Sequence, residues 1–271
     1  MTDRWRGRTV IVTGATKGIG RAIALRFGAH GAHVVVHGRS EVDALAVRAA
    51  VEEVGGTARV VLADLREEAA PAEVVARAVE ATGAIDVLVN NAGANVFRGV
   101  LDTTLSDWDD CLNLDLRAVW LAAKAAIPHM PRGSAIVNIS SNHASATLPG
   151  VFPYNVAKAG VIALTTSLAI ELAPLGIRAN TVVPGYVDTP INDAYFAGFE
   201  DPAAARRHAE TLHPAARLGR PDEIAAAVEF LADDSVSGFT TGTSLIIDGG
   251  RATLLQDPTP APAENGQTRT I

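Results

Sequence analysis

Short runs rich in β-branched residues recur along the chain: TVIVT (9–13), HVVVH (33–37), ARVVLAD (58–64), IDVLVN (85–90), AIVNIS (135–140), IRANTVV (177–183) and SLIID (244–248). Their apolar positions are continuous rather than alternating, the pattern of strands covered on both faces. Between them lie Ala-rich stretches with helical spacing, among them 41–54, 67–82 and 154–173. Strand and helix alternating in this way predict an α/β protein built on one doubly wound parallel sheet of about seven strands.

No linker separates these units, so one domain is expected over residues 1–251. Two segments break the rhythm. Residues 186–219 form a long insertion rich in Ala, Arg and His, with Tyr195, Phe196 and Phe199. A connection of that length reads as a substrate lid or as disorder. Residues 252–271 form an extension that is Pro-rich and polar from Asp257 (DPTPAPAENGQTRTI), expected to be flexible or draped over a neighbour.

Composition narrows the class. Hydrophobic residues make up 48% of the 271 and charged ones 20%, a globular balance with length enough for a large core. The net charge of -7 argues against non-specific binding to nucleic acid or to an anionic membrane. A single cysteine, Cys111, leaves no intrachain disulfide and points to a reducing compartment. With neither a signal-peptide pattern nor an apolar run near the roughly 20 residues of a membrane span, a cytoplasmic protein is expected. The seven histidines show no metal-ligand spacing: His33 and His37 share a strand, and His208 and His213 fall in the insertion. No catalytic metal is predicted.

Gly14, Gly18 and Gly20 stand between the first strand and a helix in TVIVTGATKGIGRAIALRFG. Glycines there let the backbone turn tightly and approach a pyrophosphate, whose charge meets the helix N-terminus. This is the Rossmann-type dinucleotide cradle. About 20 residues on, where an NAD-binding protein carries an acid for the ribose hydroxyl, the chain has Gly38 and Arg39. A guanidinium can clamp a 2′-phosphate, and Lys17 adds a second cation, so NADP is the expected cofactor, NADPH over NADH. The other possibility is that both are solvated surface cations. Asp64, ending the third strand, can accept from the adenine amino group or be an ordinary strand-end residue.

Tyr154 and Lys158, four apart in YNVAKAG, are neighbours on one helix face. Reducing a ketone needs hydride at carbon and a proton on the developing alkoxide. A free phenol has a pKa of about 10, so ionising it at neutral pH costs roughly 4 kcal/mol, and a nearby ammonium lowers that cost. Tyr154 then donates in reduction and accepts in oxidation. Ser141, at the carboxyl end of the fifth strand where ligands of such sheets sit, can hydrogen-bond the carbonyl oxygen. A chance exposed pair is the alternative for Tyr154 and Lys158.

Seven stretches in this order, TGATKGIG (13–20), DL (64–65), NNAG (90–93), NISS (138–141), YNVAK (154–158), PGYVDT (184–189) and DGG (248–250), resemble the short-chain dehydrogenase/reductase family. Within it the chain is similar to the 3-oxoacyl-ACP reductase-like and polyol dehydrogenase-like branches. The match runs nearly the whole chain, to near Arg251. It implies hydride transfer between a nicotinamide and a carbonyl or secondary alcohol, with Ser141, Tyr154 and Lys158 catalytic. It adds Thr16, Ile19 and Leu65 to the cofactor contacts, sets Asn90 and Gly93 along the crevice, and brackets the nicotinamide amide with Pro184, Gly185, Val187 and Thr189. A homotetramer is implied first and a dimer second, in keeping with helices at 114–127 and 154–173 that are apolar on more than one face.

One position departs from the family pattern. Aligning Trp108 and LRAVWL of WDDCLNLDLRAVWL puts Asp115 where the family carries a catalytic asparagine. Asn113, two residues earlier, falls on another helix face. An ionised Asp115 close to Lys158 offsets the lysine's effect and raises the phenol pKa. Alternatively the change is neutral, compensated by water.

Asn95, Asn142, His143 and Tyr186 are expected around the substrate, giving a polar rim suited to a small hydroxylated or polar carbonyl; His143 equally reads as a satisfied loop residue. A 3-oxoacyl thioester reductase and an NAD-dependent sugar or polyol dehydrogenase both fit. A rival of another class is a nucleotide-sensing binding protein that has lost catalysis.

Overall fold

The computed structural model describes residues 3–254. The tail expected from Asp257 lies outside them. Strands β1 (Thr9–Val12), β2 (His33–Gly38), β3 (Thr57–Leu62), β4 (Val87–Asn90), β5 (Ala135–Ile139), β6 (Arg178–Pro184) and β7 (Ser244–Ile247) form one seven-stranded sheet. Their order is β3-β2-β1-β4-β5-β6-β7, with every pairing parallel. The chain reverses its direction of travel between β1 and β4, which opens a crevice at their carboxyl ends.

The helices are α1 (Gly18–Ala29), α2 (Glu41–Glu53), α3 (Ala70–Thr82), α4 (Leu105–Leu112), α5 (Ala118–Ala126), α6 (Tyr154–Leu172), α7 (Pro190–Phe196), α8 (Pro202–Thr211) and α9 (Pro221–Ala232). Two apolar layers sandwich the sheet. Val10, Val12, Val34 and Val36 face α1, α2 and α9, packing with Phe27, Val47 and Val228. Ile11, Val35 and Leu88 face α3, α5 and α6, packing with Val74, Ala122 and Leu172. Adjacent strand residues thus serve opposite layers, which is why the runs read as continuous rather than alternating. Each large side chain withdrawn from water this way contributes about 1.5–3 kcal/mol.

Element ends have local causes. Ser40 Oγ accepts from the Asp43 N–H at 3.3 Å and starts α2, while Pro71 in its first turn starts α3 at Ala70, three residues later than expected. Thr104 and Asp107 cap α4 reciprocally. Between α4 and α5, residues Asn113–Arg117 form a π-helical turn, and Asp115 sits in it.

The insertion is ordered. It carries α7 and α8, started by Pro190 and by Asp201, whose carboxylate accepts from the Ala204 N–H at 2.9 Å. Phe196, Ala209 and Leu218 give it a small core of its own. Arg206 fastens it, lying 2.7 Å from Asp188, 3.3 Å from Asp193 and 3.5 Å from Glu210. One stretch, Tyr154–Leu175, is long and apolar enough by composition to cross a bilayer, which inspection of the sequence did not register. It is a core helix, with Leu168, Ala169 and Leu172 buried in the second layer.

Candidate active site

The glycine turn is held by side chains from three strands. Thr13 Oγ1 accepts from the N–H groups of Asn91 (2.9 Å) and Ala92 (3.0 Å). Asn91 Nδ2 donates to the carbonyls of Thr13 (2.9 Å) and Gly14 (3.0 Å). The Gly14 N–H donates to Nδ1 of buried His37 at 3.1 Å, and His37 Nε2 lies 3.1 Å from the Ala63 carbonyl. That pattern requires the proton on Nε2, and burial, the larger influence, pushes the imidazole pKa down and keeps it neutral. A Cβ on Gly20 would stand 2.1 Å from the Gly14 oxygen, and one on Gly38 2.3 Å from Thr16 Cγ2. The backbone obstacle leaves only glycine at position 20, whereas at position 38 the Thr16 side chain would have to turn away.

Around this turn the expected residues converge on one cleft of about 520 Å³. Gly14, Thr16, Lys17, Gly18, Ile19, Gly20, Arg39, Asp64, Leu65, Gly93, Pro184, Gly185, Val187 and Thr189 line it, together with Ser141, Tyr154, Lys158 and Asp115. Asn90 is the exception. Its side chain is buried in the sheet, donating to Asn138 Oδ1 at 2.8 Å, and Asn138 Nδ2 donates on to Thr165 Oγ1 at 2.9 Å. Strand alternation sends residue 90 inward and leaves Asn91 to face the turn. His37 and Asn91 were both missed from the sequence.

At the β2 end of the cleft no carboxylate occupies the strand terminus. Arg39 is largely exposed, with Nη1 3.6 Å from Asp64 Oδ2. Lys17 is not free: its Nζ lies 2.9 Å from Asp43. Burial pushes the Asp64 carboxyl up, but the Arg66 N–H and the two guanidinium groups outweigh it, so its pKa falls.

The residues expected to react, Ser141, Tyr154 and Lys158, cluster at the β5 end. Ser141 follows β5 by two residues, and its Oγ accepts from the His143 N–H at 3.2 Å. Tyr154 opens α6, and Lys158 sits one turn on, its Nζ 5.5 Å from the phenol ring centroid and 3.3 Å from the Ile139 carbonyl. Asp115 is fully buried, with Oδ1 2.9 Å from Lys158 Nζ and Oδ2 accepting from the Ala94 N–H at 3.2 Å. The π turn brings it there. Burial pushes the Tyr154 phenol up, Lys158 pulls it down, Asp115 pushes it up again and the Ser141 hydrogen bond lowers it; the net shift is upward. The lysine was expected to prime a phenolate, with Asp115 offsetting it in part; burial, the largest influence, carries the net shift upward. For Lys158 itself burial lowers the pKa, but Asp115 and Tyr154 raise it further, so the ammonium is retained.

The substrate half of the cleft differs from the expected polar rim. Asn95, Asn142, His143 and Tyr186 line it, but so do Phe97 and Tyr195. Phe97 packs edge-on against Tyr154 (5.4 Å between centroids), Tyr195 (6.2 Å) and His143 (6.3 Å). Burial and the charge of Arg251 push the His143 imidazole down to about 4. Beside the Tyr154 ring the wall is therefore aromatic, with His143 neutral within it. The clue was the spacing of aromatic residues in the insertion; Phe97 gave none.

A dinucleotide cradle beside a Ser–Tyr–Lys cluster on a doubly wound sheet defines a nicotinamide-dependent oxidoreductase, and comparison with known proteins agrees. A family profile described as enoyl-(acyl carrier protein) reductase matches residues 14–252. The chain is 40% identical over 256 residues to 3β-hydroxysteroid dehydrogenase 1 of Eggerthella lenta, covering 92% of this chain and 95% of that one. It is 39% identical over 258 residues to L-rhamnose 1-dehydrogenase (NAD(P)(+)) of Azotobacter vinelandii, covering 92% and 98%. Among solved structures, a short-chain dehydrogenase/reductase from Serratia marcescens superposes with a TM-score of 0.85 at 34% identity, covering 92% of this chain and 99% of that one. The chain belongs to the short-chain dehydrogenase/reductase family.

Proposed function

We propose that this protein is an NADPH-dependent carbonyl reductase in which Tyr154 is the proton donor. When bound, the cofactor supplies hydride to the carbonyl carbon. Ser141 Oγ holds the carbonyl oxygen, and Tyr154 Oη gives its proton to the alkoxide as the new C–H bond forms. Lys158, kept cationic by Asp115, steadies the phenolate left behind. The observation that carries this reading is geometric: Ser141, Tyr154 and Lys158 share one cleft with the glycine turn, and burial keeps Tyr154 in its phenol form. The β2 terminus, free of carboxylate and flanked by exposed Arg39, supports NADPH over NADH.

The aromatic wall supports a ketone on a flat, largely apolar body. Relatives agree in part: one is named for a hydroxysteroid, and another, from Thauera aromatica and 39% identical over 252 residues, for a phenyl-bearing succinyl-CoA. A third is named for L-rhamnose, so sugar oxidation is the rival. The insertion, with Tyr186 and Tyr195 facing the cleft, is read as the lid. Exposed Trp120 on α5, Ile170 on α6, Phe230 on α9 and Ile246 on β7 support self-association, read as a homotetramer first and a dimer second. The buried lone cysteine accords with a cytoplasmic setting.

A panel of cyclic and aryl ketones, followed by NADPH consumption, tests the reaction. Tyr154→Phe is expected to lower kcat by about 100-fold or more while NADPH still binds. Unchanged turnover in that variant overturns the mechanism; faster oxidation of aldoses than reduction of any ketone overturns the substrate class.

A further inference from the structure

Asn142 follows Ser141 at the start of a short helical turn, Asn142–Ala144, just beyond β5. Its backbone is fixed there: the Asn142 carbonyl accepts from the N–H groups of Ser145 (3.2 Å) and Ala146 (3.1 Å). The carboxamide is not needed for that turn, because Ser141 Oγ starts it by accepting from the His143 N–H at 3.2 Å. Yet Asn142 is only 7% exposed, and it lines the cleft.

The two ends of the carboxamide differ in their partners. Oδ1 accepts a long hydrogen bond from Ser141 Oγ at 3.4 Å. Given the fixed span of an amide, that contact holds Nδ2 within about 6 Å of the Ser141 hydroxyl. Among the described residues no group accepts from Nδ2, and it is not sealed in the interior as the unpartnered Asn155 Oδ1 and His213 Nε2 are. An amide nitrogen carries two N–H donors, and a nearly buried side chain is unfavourable to keep with both unused. What surface Asn142 retains belongs to the cleft, so the missing acceptor is one that arrives with a ligand.

We propose that Asn142 is a specificity-determining residue whose Nδ2 donates to a second oxygen of the substrate, one or two carbons away from the reacting carbonyl. Two donors set this close together, Ser141 Oγ and Asn142 Nδ2, match two oxygens close together on one carbon chain. The preferred substrate is then a ketone whose otherwise apolar body carries a neighbouring ether, hydroxyl or carbonyl oxygen. A plain ketone would displace water from Nδ2 and give it nothing to donate to, which is how a polar site rejects an analogue lacking the matching group. The inference rests on the reductase reading for its carbonyl, but not for its second oxygen.

The test uses pairs in which a methylene replaces the oxygen: 2-methoxyacetophenone against butyrophenone, and 3-methoxypropiophenone against valerophenone, with NADPH and the full chain. For at least one pair, kcat/KM for the ether is expected to exceed that for its partner by about tenfold or more. An alkoxy group also activates a nearby carbonyl, so the ratio is measured again in Asn142→Leu, which keeps the shape of the amide without its donors, and in the smaller Asn142→Ala. Activation survives both substitutions, whereas the hydrogen bond does not, so the ratio should fall by about tenfold. Any effect passed on through Ser141 falls on both members of a pair and cancels. Calorimetry of the same ketones on the NADP complex, which has no hydride to give, is a readout free of turnover; only the binding of the ether should weaken in the variants. Equal rates within both pairs, or a ratio that the variants leave unchanged, overturn the contact while leaving the reductase intact. Asn142-dependent binding of the ether with no reduction of any ketone supports the contact and sinks the reductase reading.

Discussion

Asp115 and Lys158 form a buried ion pair, 2.9 Å from oxygen to nitrogen, with the Lys158 ammonium 5.5 Å from the centre of the Tyr154 ring. The family pattern expects a neutral amide at this position, so the carboxylate alters the electrostatics around the Tyr154 phenol.

Asp115→Asn removes a charge that holds the phenol up. Alcohol oxidation needs the phenolate, so its pH–rate profile should move to lower pH by about one unit, while ketone reduction at neutral pH changes little. Superimposable profiles for the two proteins would show the carboxylate to be electrostatically silent.

The same pair couples stability to alkaline pH. Both Tyr154 and Lys158 have folded pKa values above their unfolded ones. Their contribution is therefore complete below about pH 10 and lost as pH climbs through the higher folded values. Urea midpoints should fall more steeply above pH 10 in the natural protein than in Asp115→Asn. Lys158→Met, which strands the carboxylate, should cost about 3–5 kcal/mol, and adding Asp115→Leu should recover much of it.

Cofactor choice is open to a two-sided test. Arg39→Asp should lower kcat/KM for NADPH by about 100-fold and raise it for NADH, since it replaces a clamp with a repelling charge. Asp43→Asn releases Lys17 from its 2.9 Å contact and should tighten NADPH but not NADH. Equal effects on the two cofactors would place the 2′-phosphate elsewhere.

Gly20→Ala drives a methyl to within 2.1 Å of the Gly14 oxygen. Nucleotide binding, measured by protein fluorescence quenching, should be lost. Gly55→Ala, which meets no atom within 4 Å, should spare binding and cost only backbone strain at φ 104°.

The sheet and the glycine turn were legible because they depend on local composition: β-branched runs bounded by glycine, and a cradle whose flanking elements are contiguous. The gathering of Ser141, Tyr154 and Lys158 in one cleft was legible through their order and spacing. What escaped notice depends on contacts distant in the chain or on a slip of one residue. Asn90 and Asn91 are adjacent and identical in type, and only the direction of β4 decides which meets the turn. His37 reads as an ordinary strand residue until β1 is laid beside β2. Phe97 reaches Tyr154 because Phe97–Arg98, in the loop after β4, pair antiparallel with Phe152–Pro153 just ahead of α6. The order within the insertion was available in part, since Pro190, Asp201 and Pro202 are helix starters.

The bracing of the glycine turn by Thr13, Asn91 and His37 bears on how nucleotide is captured. A cradle assembled in advance loses little conformational freedom when occupied, so that part of the entropic penalty of association is already met during folding. On the reading proposed above, discrimination between dinucleotides would then rest on the cations Arg39 and Lys17 at the margin rather than on the braced backbone.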